Sequence, residues 1–433
     1  MNGYAKYKTV EKLTVSFDLE GAVMPIGNLA WSAKDRRAYF EFDRSFIDRN
    51  LPISPFKLPL KSGLVEAPPT PFGGLHGLFN DSLPDGWGRW LLDRQLRKHN
   101  YNKDELTPVD RLTYVGARGM GALHYQPENL FRDPETGDEI NLDWLAIQAE
   151  RFQDEFDEAD IDVLYDMQGA SGGARPKIMI GFKPSNGRMV ADVGKPLPQD
   201  FEHWIIKFRS KTNDPAEIGA EEYAYSLMAK AAGVYMPETK LLMTPKGKYF
   251  AVRRFDRTSK GNLHIQTASG LLEADHNVPQ IDYDTLLKMT RVLTRDDEGV
   301  RQVFRRMTFN VLARNRDDHS KNHAFEMPAD GIWKPTPAYD LTLSAGPGGQ
   351  HSLAIAGEGK NPQHSHILKE AAEASVSKGD ADAMYEQVLQ AVNKWPDHAE
   401  RATLSDRRMA EIDYLLNHRG QPPKGGVKLA THA

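Results

Sequence analysis

The chain contains no cysteine, which excludes disulfides, thiolate metal sites and cysteine nucleophiles. It also lacks the ~18 uninterrupted apolar residues of a membrane-spanning helix, and the first 21 residues contain no apolar run that could serve as a signal peptide. A surplus of basic residues is missing as well, since the formal net charge is −5. We therefore expect a cytoplasmic protein that neither enters a membrane nor coats nucleic acid through its overall charge.

The remaining composition is that of an ordinary globular protein. The 433 residues are 40% hydrophobic and 27% charged, enough for a sizeable core and about two or three domains. Turn-forming and charged residues concentrate at 131–143, which indicates a boundary. We predict an N-terminal subdomain over 1–135, a second segment over 136–256, a helical segment over 257–420 and a disordered tail over 421–433.

Hydrophobic periodicity predicts strands in the first half of the chain and helices in the second half. Leu13, Val15, Phe17 and Leu19 alternate as on a half-buried strand. The other predicted strands are 37–43, 121–127, 202–210 and 248–256. Predicted helices cover 215–234 and the segment that ends near Asn100, and helical spacing returns after about 280, at Phe304, Met307 and Val311 and at Met409, Ile412 and Leu416.

The stretch RNRDDHSKNHAF, residues 314–325, concentrates polar groups directly after an amphipathic helix. Asp317 and Asn322 have the spacing of the protein-kinase loop H-R-D-x-x-x-x-N. In that loop the aspartate orients the attacking hydroxyl and the asparagine amide oxygen holds Mg²⁺. Asp340, in PTPAYDLTLS, supplies a second carboxylate that could bridge the metal to a nucleotide. This pattern predicts phosphoryl transfer.

Upstream residues supply the other parts of such a site. Lys207 lies among apolar neighbours in WIIKFRS and is the candidate cation for the nucleotide phosphates, with Glu222 or Glu221 as its helical partner. The segment QGASGGARPK, residues 168–177, contains glycines that allow backbone amides to approach phosphates closely. We predict ATP contacts from this segment at Gly172, Gly173 and Lys177. Each piece alone is common, and it is their order along the chain that favours a kinase.

A metal hydrolase is a competing interpretation of the same residues. His319 and His323 are four residues apart and could face one metal ion from a helix, with Asp317 or Asp318 as a third ligand. The stretch lacks the glutamate of H-E-x-x-H, which weakens this interpretation. We expect His319 instead to form hydrogen bonds within the loop and to orient its backbone.

RDDHSKNHAF followed by PAYDLTLS resembles the HipA family of serine/threonine toxin kinases. GGARPK, WIIKF and VRRFDR occur in the order that this family shows. In the N-terminal portion, GLFNDSLPDGWGRWLLDR (77–94) and YVGARGMGAL (114–123) resemble the family's N-terminal subdomain. The resemblance spans nearly the whole chain.

The resemblance implies an α+β fold, with a small N-terminal α/β subdomain packed on a two-lobed, protein-kinase-like domain whose C-lobe is mostly helical. It implies ATP and Mg²⁺ as cofactors and phosphorylation of a protein, in well-studied relatives an aminoacyl-tRNA synthetase. A helix-turn-helix antitoxin of the HipB type is the implied partner. The kinase would act as corepressor and reach DNA only through that antitoxin.

The residue roles implied by the resemblance are Asp317 as the catalytic residue, Asn322 and Asp340 on Mg²⁺, Lys207 on the phosphates, and the backbone from Arg253 to Phe255 at the adenine edge. The sequence departs from the family in two places. Relatives carry a self-phosphorylated serine in the Gly-rich loop, and here that position matches Ala170, with Ser171 as the nearest hydroxyl. Arg253 stands where relatives often have an acidic residue.

Two other functions use the same residues. A small-molecule phosphotransferase, for instance one acting on an aminosugar, would share the ATP site, but it has no evident use for the N-terminal subdomain. An inactive kinase fold could serve only as a corepressor bound to an antitoxin. The presence of all the predicted ATP-site residues argues against that function.

Overall fold

The computed structural model describes residues 6–134, 139–154, 160–170, 172–418 and 429. Ser171, the candidate for self-phosphorylation because it is the hydroxyl nearest to the relatives' serine position, lies outside these ranges, as does the predicted tail apart from Leu429. Contacts divide the chain into two compact units. The first unit contains residues 1–206, 254–274 and 326–332, and the second contains 207–253, 275–325 and 333–433. The domain boundaries proposed from the sequence remain predictions.

The described ranges contain helices and strands in mixed order. The α-helices are α1 (Arg44–Ile47), α2 (Gly77–Asn80), α3 (Gly86–Lys98), α4 (Pro108–Thr113), α5 (Leu142–Phe152), α6 (Ile161–Asp166), α7 (Ile218–Ala231), α8 (Ala268–Leu272), α9 (Tyr283–Thr294), α10 (Asp297–Leu312), α11 (His364–Glu373), α12 (Lys378–Asn393), α13 (Trp395–Arg401) and α14 (Asp406–Asn417). Across these ranges we find no helix with both the length and the apolar character needed to span a bilayer.

The strands account for the alternating patterns of the first half of the sequence. They are β1 (Lys12–Leu19), β2 (Ala22–Ser32), β3 (Arg37–Phe42), β4 (Leu64–Glu66), β5 (Leu123–Gln126), β6 (Lys177–Phe182), β7 (Met189–Ala191), β8 (Glu202–Lys207), β9 (Thr239–Met243), β10 (Lys248–Arg253), β11 (Arg257–Thr258), β12 (Gly261–Asn262), β13 (His264–Thr267), β14 (Ala324–Met327) and β15 (Lys334–Pro335).

An antiparallel sheet with strand order β4-β3-β2-β1-β5 organises the start of the first unit. Leu13, Val15 and Phe17 are fully buried, which confirms the predicted alternation of β1. Gly27 of β2 faces Val15. A Cβ atom at Gly27 would lie 2.2 Å from the carbonyl oxygen of Glu41, so only glycine allows β2 and β3 to approach this closely.

A buried ion cluster lies in the segment VRRFDR of the first unit. The Asp256 carboxylate accepts hydrogen bonds from Arg254 at 2.8 and 3.0 Å, from Arg257 at 2.7 Å and from the Gly121 amide at 2.8 Å. Burial would raise the pKa of Asp256, but the two arginines hold that pKa well below its usual range. The cluster therefore serves to anchor the turn at Gly121.

A helical core fills the second unit. Tyr225 and Met228 of α7 pack with Phe309 of α10, Trp395 of α13 and Ile412 of α14. The predicted helix over 215–234 is confirmed as α7. The helical spacings noted after residue 280 are also confirmed, because they fall on α10 and α14. This core holds α10 in place, and α10 leads directly into the stretch 314–325.

The strands predicted by their ranges are all shorter than expected. The strand predicted over 37–43 ends at Phe42, and the one predicted over 121–127 spans Leu123–Gln126. The other two stop early at their C-terminal ends. The strand predicted over 202–210 ends at Lys207, because the chain then turns: the Asp214 carboxylate accepts the Ser210 amide at 2.8 Å. The strand predicted over 248–256 ends at Arg253, since Asp256 is held by the ion cluster described above. In each of these last two strands, an aspartate side chain accepts a hydrogen bond, from the Ser210 amide in one case and from Arg254 in the other. The pattern of apolar residues along the strand does not predict such side-chain contacts.

Candidate active site

Lys207 is the centre of a group of charges in the second unit. As the last residue of β8, it places its Nζ 3.3 Å from the Oε1 of Glu222 on α7, and it also forms an ion pair with Asp340. The side chain of Glu222 is 4% exposed and that of Asp340 is 32% exposed. The buried carboxylate therefore positions the lysine, and the more exposed one remains accessible to a ligand.

The adjacent Glu221 has a different role, which resolves the alternative left open by the sequence. Arg408 of α14 binds its carboxylate with two hydrogen bonds, of 2.8 and 3.0 Å. Consecutive helical residues point about 100° apart, so one glutamate faces Lys207 and the other faces α14. Glu222 is therefore the partner of Lys207, and Glu221 joins α7 to α14.

These two glutamates make a matched pair for mutagenesis. We expect Glu222→Gln to lower the rate of phosphoryl transfer by roughly 10- to 100-fold, because a hydrogen bond to a charged group is worth ~1.5–3 kcal/mol. We expect its melting temperature to remain near that of the parent protein. Glu221→Gln should instead lower the melting temperature, because it leaves the buried guanidinium of Arg408 without its main counter-charge. Both variants would be measured by calorimetry and by a kinase assay. A lower melting temperature in Glu222→Gln together with a lower rate in Glu221→Gln would contradict the assignment.

The loop that contains Asp317 is closed by Asn322. The Asn322 side-chain nitrogen donates to the Asp317 carbonyl at 2.7 Å, and the Asn322 amide donates to the His319 carbonyl at 2.8 Å. The side-chain nitrogen of Asn322 is thus engaged by the loop backbone, and the amide oxygen is the atom of this side chain that could serve as a metal ligand. The role of Asn322 as a metal ligand remains a prediction.

Hydrogen bonds join this loop to the segment that carries Asp340. The Tyr339 hydroxyl donates to the Lys321 carbonyl at 2.6 Å, and Asn315 and Ser344 form a parallel β-bridge. Asp340 itself has a left-handed backbone, with φ of 53°, which is uncommon outside glycine and is often found where a side chain has a functional orientation. The two segments therefore hold the candidate catalytic and metal-binding residues in a fixed relation.

The buried side chain of Asp318 anchors the loop to the surrounding structure. Its buried carboxylate accepts hydrogen bonds from the Tyr283 hydroxyl, the His351 Nδ1 and the Ser352 amide, each at 2.8 Å. Burial would raise the pKa of Asp318, but His351 outweighs this effect and holds the pKa below its ordinary value of 3.8. The carboxylate therefore stabilises the folded chain above pH 3.8, and this contribution is lost as the pH falls through the lowered pKa. Sequence reasoning missed Tyr283 and His351, which lie about thirty residues away with no local signal.

The two histidines of the loop do not form the predicted alternative metal site. Residues Ser320–Asn322 form a short 3₁₀ turn, so His319 and His323 do not share the face of an α-helix. Burial, together with the charge of Arg306, lowers the pKa of His323 to about 3, and its ring packs edge-on against Tyr283. Within the part of the chain that the structure describes, no three His, Asp or Glu side chains are grouped as metal ligands.

His319 lies where it can support the catalytic loop. Its carbonyl accepts the Asn322 amide, and its Nε2 lies 3.9 Å from the Asp317 carboxylate. Its ring also packs against the ring of His276 at 5.2 Å between centroids. The His319 carbonyl thus makes a hydrogen bond within the loop, and the role of this residue in orienting the loop backbone remains a prediction.

The Gly-rich turn lies in the first unit. The Gly173 amide donates to the Asp85 carboxylate, and the Lys177 ammonium donates to the Gly172 carbonyl. Asp85 precedes α3, and the Trp87 amide donates to the Gly173 carbonyl at 3.1 Å. Lys177 is buried. The contact between Asp85 and the turn joins residues 88 positions apart, so the sequence pattern did not reveal it.

The predicted adenine-edge residues lie at the end of β10. The Arg253 side chain is exposed, and its amide donates to the Glu238 carbonyl at 2.9 Å. Phe255 is half-buried in the first unit. The contact predicted for this segment involves backbone groups, so it does not depend on the exposed Arg253 side chain, and it remains a prediction.

The residues of the second unit fit a magnesium nucleotide. Mg²⁺ prefers oxygen ligands and is usually held by one or two protein groups together with substrate phosphates and waters. The carboxylate of Asp340 and the amide oxygen of Asn322 are such groups, and Lys207 adds a positive charge next to Asp340. This donor set is suited to an ion that arrives with a polyphosphate.

Comparison with known families matches most of the chain. Residues 169–395, more than half of the chain, match the model of the HipA-like C-terminal domain. Residues 21–126 match the model of the HipA N-terminal domain. The first match contains Lys207, Glu222, Asp317, Asn322 and Asp340.

Two curated relatives carry names that refer to a kinase. "Putative kinase Y4dM" of Sinorhizobium fredii is 27% identical over 152 residues, which cover 32% of this chain and 36% of that protein. A "Putative kinase" of Haemophilus influenzae is 22% identical over 263 residues, which cover 56% of this chain and 68% of that protein. The chain therefore aligns with about a third of the first relative and about two thirds of the second.

A solved structure shares the fold. HipA of Shewanella oneidensis, determined with HipB and operator DNA as a toxin–antitoxin complex, superposes with a TM-score of 0.66 at 17% identity. The match covers 93% of this chain and 96% of that protein. The α+β fold expected from the sequence is confirmed.

Proposed function

The chain belongs to the HipA family, and on this premise we propose that it is an ATP- and Mg²⁺-dependent serine/threonine protein kinase that acts as the toxin of a toxin–antitoxin pair. The observation that carries the proposal is the joint geometry of the second unit. There Lys207 is paired with Glu222 and Asp340, and the loop with Asp317 and Asn322 is joined to the Asp340 segment by hydrogen bonds.

Each residue of this group has a definite task in phosphoryl transfer. Lys207, oriented by Glu222, binds the phosphates of the nucleotide. Asn322 and Asp340 would hold Mg²⁺, which neutralises charge on the phosphates when it is bound. Asp317 accepts the hydrogen bond of the target hydroxyl and directs its oxygen lone pair toward the terminal phosphorus. The hydrogen bonds of Asp318 fix the backbone of the loop, and the loop in turn holds Asp317 in position.

The partner and the target that we propose are those that the family resemblance implies. We propose a small helix-turn-helix antitoxin of the HipB type as partner, supported by the fold shared with a HipA solved in complex with HipB and operator DNA. Contact with DNA would occur only through this antitoxin, since the chain has a net charge of −5. The proposed target is a translation component such as an aminoacyl-tRNA synthetase.

Labelled ATP distinguishes the proposed kinase from the other two functions. We expect the purified chain, incubated with γ-labelled ATP, Mg²⁺ and a cell lysate, to label a discrete protein band at serine or threonine. A labelled small molecule without a labelled protein would indicate a phosphotransferase of small substrates. The absence of any transfer would indicate a corepressor without enzyme activity. Omission of Mg²⁺ and the Asp317→Asn variant are the controls.

A further inference from the structure

A basic cavity lies on the second unit next to the catalytic loop. Its volume is about 160 Å³, and its walls are formed in part by Arg314, Arg316, His351, Lys360 and His364. This is several times the ~30 Å³ that one water molecule takes up and well below the ~300 Å³ of a pocket for a larger organic ligand. The cavity therefore suits a small, compact group.

The two arginines and the lysine of this cavity, Arg314, Arg316 and Lys360, form no ion pairs with carboxylates among the described residues. The guanidinium of Arg314 donates to the Leu415 carbonyl at 3.1 Å, and that of Arg316 donates to the Gly349 and Lys360 carbonyls at 2.8 Å each. Carbonyl oxygens satisfy hydrogen bonds but do not neutralise the charges.

Three acidic side chains lie at or beside the cavity, but their printed partners are histidines, a tyrosine and backbone amides rather than the arginines or Lys360. Asp318 is held by His351, Tyr283 and Ser352, and Asp382 lies 3.4 Å from His364. Glu358, next to Lys360 along the chain, accepts the backbone amides of Lys360 and Asn361 at 2.7 and 3.1 Å. Asp318 offsets part of the charge of Arg316, but among the described residues none of these carboxylates forms an ion pair with Arg314, Arg316 or Lys360.

Arg316 has an unused donor at this place. Its Nε is buried and has no hydrogen-bond partner among the described residues. Burial lowers the pKa of Arg316, and the neighbouring charge of Arg314 lowers it further. Two partly buried guanidinium groups that repel each other are costly unless an anion lies between or beside them. Arginine is also the side chain whose planar fork best matches phosphate oxygens.

We propose that this cavity is a binding site for a phosphate monoester or inorganic phosphate, separate from the nucleotide site and formed by Arg314, Arg316 and Lys360. Solvent reaches it through the exposed side chains of Lys360, Asn361 and Gln363. Arg316 directly precedes Asp317 and binds the backbone at Gly349 and Lys360, so an anion here would stabilise the catalytic loop and the segment 349–360 in one arrangement.

The test measures anion binding by the full chain without nucleotide or Mg²⁺. Isothermal titration calorimetry with inorganic phosphate and with O-phosphoserine, against chloride at equal ionic strength, should show one site. Lys360→Gln should weaken it by about three- to tenfold, because an exposed charge-assisted contact is lost. Arg316→Lys keeps the charge but loses the fork, and it should weaken binding by about tenfold. Lys369→Gln removes the same charge from an exposed position outside the cavity and should have no effect.

The outcomes separate the sources of the anion and the competing site. Binding of either compound supports the proposal. Binding of O-phosphoserine alone identifies a phosphate monoester as the ligand, binding of inorganic phosphate alone identifies free phosphate, and binding of both shows that the site accepts either. Binding that is unchanged in both Lys360→Gln and Arg316→Lys, or that disappears in Lys207→Ala, would assign the anion to the nucleotide site and overturn the proposal. No binding of either compound would also overturn it. Because no ATP is present, failure here is distinct from failure of the kinase proposal.

Discussion

Asp317→Asn is expected to reduce phosphoryl transfer by ~10²–10⁴-fold, the usual contribution of a general base. Asparagine keeps the size of the side chain and can still form hydrogen bonds, but it lacks the negative charge that attracts the hydroxyl proton of the target. Asn322 closes the loop through the Asp317 carbonyl, and the substitution does not alter that backbone contact. The variant should therefore fold normally, bind Mg·ATP and pair with an antitoxin, but fail to transfer phosphate or arrest growth.

Asp318→Asn is the informative control for this result. The side chain of Asp318 is buried and accepts three hydrogen bonds, one of them from His351. Removing its charge should lower the melting temperature, because the pairing with His351 is lost. Any loss of activity in this variant should follow the loss of folded protein. If Asp318→Asn proved stable and inactive while Asp317→Asn remained active, Asp318 rather than Asp317 would be the catalytic residue.

Asp340→Ala is expected to remove most Mg²⁺-dependent binding of ATP. A contact with a charged group is worth ~1.5–3 kcal/mol, so we expect Mg·ATP affinity to fall by at least ~10- to 100-fold. Because the Asp340 side chain is 32% exposed and Lys207 keeps Glu222 as a partner, the fold should be little affected. Isothermal titration with ATP, with and without Mg²⁺, measures the effect.

Asp397→Ala serves as the matched control for Asp340→Ala. Asp397 is an exposed residue of α13 in the same unit, and its replacement makes the same change in charge. We expect it to bind Mg·ATP like the parent chain. Equal Mg·ATP affinities of the Asp340→Ala variant and this control would mean that Asp340 does not hold the metal, and the assignment would have to be abandoned.

The sequence predicted the helices and strands where local periodicity was strong. β1 and α7 formed where predicted, because alternating and helically spaced apolar residues must each bury one face. It predicted the ends of elements less well. The strand that contains Lys207 ends three residues earlier than expected, since the Asp214 side chain binds the backbone of the following turn.

The sequence by itself determined the types and order of the chemical groups: a lysine in a strand, a glutamate pair on a helix, Asp317 and Asn322 at the spacing of a protein-kinase loop, and Asp340 downstream of them. These features are local, so they can be recognised along the chain.

Only the tertiary structure decided which groups meet. It assigned Glu222 to Lys207 and Glu221 to Arg408, because helical rotation directs neighbouring side chains to different elements. It brought Tyr283 and His351 to Asp318, and it gathered basic side chains around one cavity. Such contacts join residues that lie far apart along the chain, and their partners depend on how the helices pack rather than on any local pattern.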